Sequence, residues 1–168
     1  MNVINRTIVE QYKRKNDIVQ QIKRTKQVQL VGESMIPTLD SAKILTLFVS
    51  CGSDFKIGDV VVFKYSHSVV GVVVHRIIKK TGNIIITKGD NNLQCDESID
   101  SSAIIGKVEK ALMKDMSICT VRSSSLVARL SKVENNIIRW IPCRFKLIAH
   151  SWLTELYKFL MRKEENNR

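Results

Sequence analysis

The spacing of apolar residues changes twice along the chain, from a helical period to a strand period and back. Residues 3–22 carry a helically spaced apolar stripe with a basic cluster between its members, which predicts an amphipathic helix. The stripe consists of Ile4, Ile8, Tyr12, Val19 and Ile22. From Val28, starting with the short apolar run Val28–Val31, β-branched runs alternate with turn-forming residues, which predicts strands. The longer runs are Ile44–Val49, Val60–Tyr65, Val69–Ile78, Ile84–Thr87 and Ile104–Val108. Since no helical segment separates them, antiparallel pairing is favoured.

A helical period returns after residue 121, with an apolar stripe on one face and a polar, mostly basic ladder on another. The stripe is Phe145, Ile148, Trp152, Leu156 and Phe159, and the ladder is Lys146, His150, Thr154, Lys158 and Arg162. Such a helix docks on a protein core or lies flat on a membrane, and docking is favoured here. The sequence therefore predicts a mainly β protein whose antiparallel core, residues 28–121, is flanked by amphipathic helices in residues 1–27 and 122–168.

Charge is concentrated in the two flanks. The 168-residue chain has a net charge of +11, all of which is carried by residues 1–30 and 122–168. Basic flanks fit an anionic surface, either phospholipid or nucleic acid, although a solvated helix face gives the same pattern. Basic strands interleaved with aromatic residues, as in RNA-recognition domains, are absent, which disfavours nucleic acid. Because no stretch of about eighteen residues lacks charge, we expect no transmembrane helix and a cytoplasmic or peripheral membrane location.

The four cysteines, Cys51, Cys95, Cys119 and Cys143, lie far apart and form no C-x-x-C pair. This spacing is typical neither of zinc sites nor of a disulfide framework. Free thiols in a reducing compartment and no metal site are expected.

The strongest chemical signal is Gly32-Glu33-Ser34-Met35-Ile36-Pro37-Thr38, which follows a short apolar run. Glycine permits unusual backbone torsions and proline restricts its neighbours, so this turn can hold the hydroxyl and N–H of Ser34 in a fixed geometry. Ser34 is thus a candidate nucleophile, and an ordinary loop serine is the alternative.

Two further segments carry the partners that a nucleophilic serine needs. His75 ends an apolar strand, and a histidine is suited to general-base catalysis near neutral pH, although most strand histidines are structural. Asp90 and Asp96 lie in a polar turn after the next strand, where aspartate commonly caps backbone N–H groups. Alternatively, one of these carboxylates orients the histidine ring for acyl transfer.

Five sequence blocks, in order, resemble type I signal peptidases. They are G-E-S-M-I-P-T (32–38), G-D-V-V-V-F (58–63), V-V-H-R-I-I (73–78), T-K-G-D-N-N (87–92) with Asp96, and I-I-G-K-V (104–108). Bacterial members carry a lysine base where this chain has His75. The chain is therefore similar to the endoplasmic-reticulum, archaeal and sporulation branch, which uses serine with histidine and aspartate.

The resemblance implies a serine endopeptidase that cleaves signal or leader peptides after small residues, on a mainly β core, without a metal or organic cofactor. Ser34 is then the nucleophile and oxyanion donor, His75 the general base, Asp96 its orienting partner and Asp90 a supporting carboxylate. Met35 and Pro37, which flank the serine, are predicted to bind substrate. The partner is a peptide or preprotein, and the basic flanks are predicted to contact a membrane surface.

Two alternatives belong to other classes. Self-cleaving repressors of the LexA type share a similar serine block, but they use a lysine base and carry an N-terminal helix-turn-helix and a cut site before the serine. A non-enzymatic basic module that binds nucleic acid or a membrane surface is supported by charge alone. The chain departs from signal peptidases in having basic amphipathic flanks where they carry transmembrane anchors, so a cytosolic leader-peptide processor is as compatible with it as a membrane-bound one.

Overall fold

The computed structural model describes residues 3–50, 52, 54–65, 71–130, 155, 156 and 159. Within them the protein is mainly β and built on an antiparallel sheet, which confirms the predicted fold class. The first helix, α1, covers Val3–Thr25. The strands are β1 (Gln27–Val28), β2 (Ile44–Ser50), β3 (Val60–Lys64), β4 (Val72–Thr81), β5 (Ile84–Lys88), β6 (Ile99–Asp100), β7 (Ile104–Met113) and β8 (Ile118–Thr120). A 3₁₀ turn, Ser101–Ala103, precedes β7.

The sheet joins two parts of the chain through its seventh strand. The strand order is β1-β2-β7-β3-β4-β5-β6, and β8 pairs with β7. On one side of β7, Val108 pairs with Val49 of β2, and on the other, Gly106 pairs with Val62 of β3. The predicted strand at Val28–Val31 is shorter than expected, because only Gln27–Val28 pairs, with Leu47 and Phe48 of β2.

Strand β3 shows why the middle of the chain folds as a sheet buried on both faces. Successive side chains of a strand point to opposite faces, so a strand covered on both sides is apolar throughout. Val60 and Val62 belong to one buried cluster, whereas Val61 and Phe63 belong to the other. The uninterrupted apolar run is therefore the signature of a central strand.

The last two turns of helix α1 pack on the cluster that contains Val60 and Val62. Val19 and Ile22 are each 3% exposed, while Arg14, Lys23 and Arg24 are exposed on its other faces. This is the docking expected of an amphipathic helix whose stripe belongs to the core. Across the described part of the chain, no helix combines the length and the apolar character needed to cross a bilayer.

The C-terminal segment is described only in part. Residues 125–130 are helical, and Val127 and Ala128 are buried. Most of the predicted apolar stripe and basic ladder lies outside the described residues. Leu156 and Phe159, the described members of the stripe, are 43% and 61% exposed, so these two side chains are not buried on the β core.

Asp59, at the start of β3, ties three segments together. Its carboxylate accepts hydrogen bonds from the Lys107 ammonium at 2.7 Å, from the Lys56 N–H at 2.9 Å and from the Ser123 hydroxyl. Burial by itself raises the pKa of Asp59, but these donors outweigh burial and hold the pKa below its ordinary value. Asp59 is thus expected to be ionised in the folded protein and to stabilise it in that form.

We expect the free energy of unfolding of Asp59→Asn to depend less on pH below about pH 5 than that of wild type. A carboxylate with a lowered folded pKa stabilises the protein fully above the unfolded pKa of about 3.9, and this contribution is lost as pH falls through the folded pKa. Urea unfolding between about pH 6 and pH 2 measures the slope. Asp54→Asn is the matched control because the Asp54 side chain is 84% exposed. Equal slopes for wild type and Asp59→Asn would contradict this role.

Candidate active site

Ser34 lies in a compact turn whose apolar residues are inserted into the core. Gly32 adopts a φ of 93°, a conformation that favours glycine, and the turn is closed by the Ile36 N–H on the Glu33 carbonyl at 3.1 Å. Met35 and Leu39 are each 1% exposed. Their burial fixes the backbone on the C-terminal side of Ser34, while the Ser34 side chain itself stays partly exposed.

His75 connects this serine to a carboxylate. Its Nε2 lies 3.1 Å from Ser34 Oγ, and its Nδ1 lies 2.6 Å from Asp96 Oδ2. The Thr87 hydroxyl donates to the same Asp96 oxygen at 2.7 Å, and the Asp96 N–H donates to the Thr87 carbonyl at 2.9 Å. His75 is 6% exposed, so water has little access to the imidazole.

The hydrogen-bond pattern determines where the proton of the neutral ring lies. An ionised carboxylate only accepts hydrogen bonds, so His75 Nδ1 must donate to Asp96. In a neutral imidazole the other nitrogen is then an acceptor, and the Ser34 hydroxyl donates to His75 Nε2. This is the tautomer in which a histidine can remove the serine proton.

Asp90 has a different set of partners. Its carboxylate accepts two hydrogen bonds from Arg76, from Nε at 2.9 Å and from Nη2 at 2.8 Å, and a third from the Thr38 hydroxyl at 2.5 Å. Arg76 also donates to the Gly58 carbonyl at 2.7 Å. Asp90 is 1% exposed and Arg76 is fully buried. The pair therefore links β4, the serine turn and the β5–β6 loop.

The serine turn is also held directly by the β5–β6 loop. The Asn91 N–H donates to the Ser34 carbonyl at 2.8 Å. Gly89 lies so close that a Cβ built on it would be 2.6 Å from the Ser34 carbonyl oxygen and 2.9 Å from the Asn92 side chain. Only glycine allows the two backbones to approach this closely.

Gly89→Ala is expected to displace Ser34 and to reduce activity by about 100-fold, as misplacement of a reacting group by about 1 Å can do. The overpacked contact should also lower the free energy of unfolding by about 1–3 kcal/mol. Steady-state kinetics and urea unfolding of the same preparations measure the two effects. Gly52→Ala is the control, because a Cβ at Gly52 meets nothing within 4 Å. Unchanged activity in Gly89→Ala would show that the loop does not position the serine.

The main-chain N–H of Ser34 is the candidate donor to an oxyanion. Among the described residues it donates no hydrogen bond, although the Ser34 carbonyl is bound to Asn91. A free N–H beside a nucleophilic hydroxyl can donate to the oxyanion of a tetrahedral intermediate. The geometry therefore accommodates the oxyanion role predicted for Ser34.

A groove of about 840 Å³ opens onto Ser34 and His75. It is bordered by α1, by the segment 27–31, by Val72–Val74 of β4 and by Asn92. Apolar and polar side chains contribute equally to the described lining, and such a mixture can bind a ligand through both apolar contacts and hydrogen bonds. Among the described residues, no group of three histidine, cysteine or acidic side chains could hold a metal ion.

The structure brings together three of the predicted site residues, Ser34, His75 and Asp96, and places Asp90 beside Arg76. Met35, for which a substrate contact was predicted, has its side chain buried in the core at 1% exposure and is not among the described groove-lining residues. Pro37 is half-buried and is not among the described residues that line the groove.

Two residues near the site had no predicted role. Thr87, which donates to Asp96, and Asn92, which lines the groove, both lie in the T-K-G-D-N-N block. The resemblance of this block to signal peptidases was the one signal in the sequence that pointed to these two residues. Which groups Thr87 and Asn92 contact depends on the conformation of the loop.

The chain has no match among protein-family models, curated proteins or solved structures. Any assignment of function therefore depends on the chain's own motifs and on the geometry of Ser34, His75 and Asp96.

Proposed function

We propose that this protein is a serine endopeptidase of the signal-peptidase type, cleaving signal or leader peptides after small residues. The observation that carries the proposal is the chain of contacts from Ser34 Oγ to His75 Nε2 and from His75 Nδ1 to Asp96 at the end of a groove. The order of the five sequence blocks that resemble type I signal peptidases supports the same class of enzyme.

In the proposed reaction His75 accepts the Ser34 proton while Ser34 Oγ attacks the scissile carbonyl carbon. The resulting oxyanion accepts a hydrogen bond from the Ser34 N–H, and the imidazolium is stabilised by Asp96. His75 then gives its proton to the leaving amine, the C–N bond breaks, and an acyl-Ser34 ester forms. A water molecule, deprotonated by His75, hydrolyses the ester and restores the hydroxyl.

The groove supports an extended peptide as the substrate. Val73 and Val74 pair with Phe63 and Val62 on one side, whereas the pairing of β4 with β5 begins only at Arg76. An extended segment can add to such a strand edge through main-chain hydrogen bonds, which places its scissile bond near His75. Neither a metal nor an organic cofactor is part of this proposal.

The basic flanks support contact with an anionic membrane surface. Each lysine or arginine near anionic lipid contributes about 1 kcal/mol. The exposed Arg14, Lys23 and Arg24 of α1 are available for such contact. We propose a cytoplasmic enzyme that either meets leader peptides in solution or associates peripherally with the membrane.

A cleavage assay tests the function. Peptides with Ala-x-Ala sites are incubated at mildly alkaline pH with wild type or Ser34→Ala, with and without vesicles of anionic phospholipid. Cleavage by wild type alone supports the serine mechanism, and stimulation by vesicles assigns the flanks to the membrane. Equal cleavage by both proteins would overturn the mechanism, because the hydroxyl would then be dispensable.

A further inference from the structure

Helix α1 forms one side of the groove that ends at Ser34. The groove-lining residues of this helix are Ile18, Gln21, Ile22 and Thr25. Their spacing of three and four residues places them on one helix face. Val72–Val74 of β4 also line the groove. A peptide that lies along β4 towards His75 would therefore run between a strand and this helix face.

The position of α1 is fixed by packing on the core. Val19 and Ile22 are each 3% exposed within the main cluster. The Val49 N–H donates to the Lys26 carbonyl at 2.8 Å, immediately after the helix. At the start of β4, a Cβ on Gly71 would be 2.6 Å from the Lys15 side chain, so helix and strand are in close contact there. This packing fixes the position of the α1 residues that line the groove.

Among the described residues that line the groove, His75 is the one member of the Asp, Glu, Lys, Arg and His set. None of the described residues that line it is aspartate, glutamate, lysine or arginine, although charged residues make up 26% of the chain. The exposed charged residues adjacent in sequence to lining residues are not themselves part of the lining; they are Asp17, Lys23, Arg24, Lys26 and Glu33. A charged side chain entering such a groove loses hydration without gaining an ionic partner, which is unfavourable.

We propose that Gln21 is a specificity-determining residue and that α1, together with the β core, selects peptides that are uncharged in the segment before the scissile bond. Gln21 is the longest polar side chain that the helix contributes to the groove, and its neutral amide can donate and accept hydrogen bonds. This inference rests on the proposed peptidase function and assigns part of its substrate choice to the N-terminal helix.

The experiment uses the full chain with Ser34→Ala for binding and with Ser34 intact for cleavage. Fluorescent Ala-x-Ala peptides carry a single lysine or aspartate at successive positions before the cut, and Kd is measured by anisotropy at low salt. Gln21→Lys and Gln21→Glu introduce opposite charges into the groove. Gln20→Lys and Gln20→Glu are the matched controls, because Gln20 is exposed on the same helix but does not line the groove.

Gln21→Lys is expected to weaken binding of lysine peptides and strengthen binding of aspartate peptides by about threefold to fivefold, at one or two adjacent positions. Gln21→Glu should reverse this preference, and the Gln20 variants should leave it unchanged. Identical effects at Gln20 and Gln21, or none at either, would overturn the inference.

The outcomes separate this inference from the proposed function. If binding follows the charge at residue 21 but the protein with Ser34 intact cleaves no peptide, the role of Gln21 in peptide selection is supported and the peptidase function is rejected. If cleavage occurs and does not depend on the charge at residue 21, the peptidase function is supported and the role of Gln21 in peptide selection is rejected. If no peptide is bound or cleaved, both are overturned.

Discussion

Replacing Ser34 by alanine is expected to lower kcat/KM by about 10⁴-fold or more, because no other group can form the acyl intermediate. His75→Ala should have a similar effect, since Ser34 Oγ would lose the acceptor that lies 3.1 Å away. Asp96→Asn should reduce kcat by about 10⁴-fold by favouring the wrong imidazole tautomer. Kinetics on an Ala-x-Ala peptide measure these losses.

Stability measurements distinguish lost chemistry from lost structure. Ser34→Ala removes a partly exposed hydroxyl, so its free energy of unfolding should stay within about 0.5 kcal/mol of wild type. Ser125→Ala, at an exposed serine, is the control for the substitution itself. If Asp96→Asn is fully active while Asp90→Asn is folded but inactive, the residue that orients His75 is Asp90 and not Asp96.

Asp90→Ala is expected to destabilise the fold by about 3–5 kcal/mol, the typical cost of removing one partner from a buried ion pair. Arg76 would be left fully buried with its charge uncompensated, retaining the Gly58 carbonyl and the Thr38 hydroxyl as acceptors. Urea unfolding monitored by far-ultraviolet circular dichroism gives the free energy. Activity measured well below the unfolding midpoint should be reduced less than in Ser34→Ala, because Asp90 does not contact the histidine.

A double variant tests whether the charge or the shape of this pair matters. Combining Arg76→Met with Asp90→Ala removes the unpaired guanidinium charge. The free energy of unfolding should therefore be higher than in Asp90→Ala alone. If the double variant is less stable than Asp90→Ala alone, Arg76 contributes through its other hydrogen bonds more than its unpaired charge costs.

The sequence was sufficient to predict the class of fold and most of the strands. The long β-branched runs became β2, β3, β4, β5 and β7 with ends shifted by a few residues. The two-residue strand β6 and the three-residue strand β8 were not predicted, because such short segments have too few residues for a period. Their pairing with β5 and β7 is a tertiary effect.

The residues of the candidate site could be predicted from their own chemistry, but only the family resemblance implied which aspartate pairs with His75. Asp90 and Asp96 lie six positions apart in one loop, and the path of that loop decides which carboxylate reaches His75. The alternation of β4 sends His75 and Arg76 to opposite faces, so each meets a different aspartate. Likewise, the apolar stripe of α1 predicts that it packs, but not that Gln21 borders a groove.

The place of β7 has a consequence for the newly made chain. Ser34 precedes β2, whereas His75 lies on β4, and β7 is the strand that pairs with both β2 and β3. Pairings between distant segments form only after the intervening chain is present. A chain that ends before Ile104 lacks this bridge and relies on the contacts of the serine turn with Arg76 and the β5–β6 loop to bring Ser34 to His75. We therefore expect the Ser34–His75 contact to become fully stable only after β7 has paired with β2 and β3.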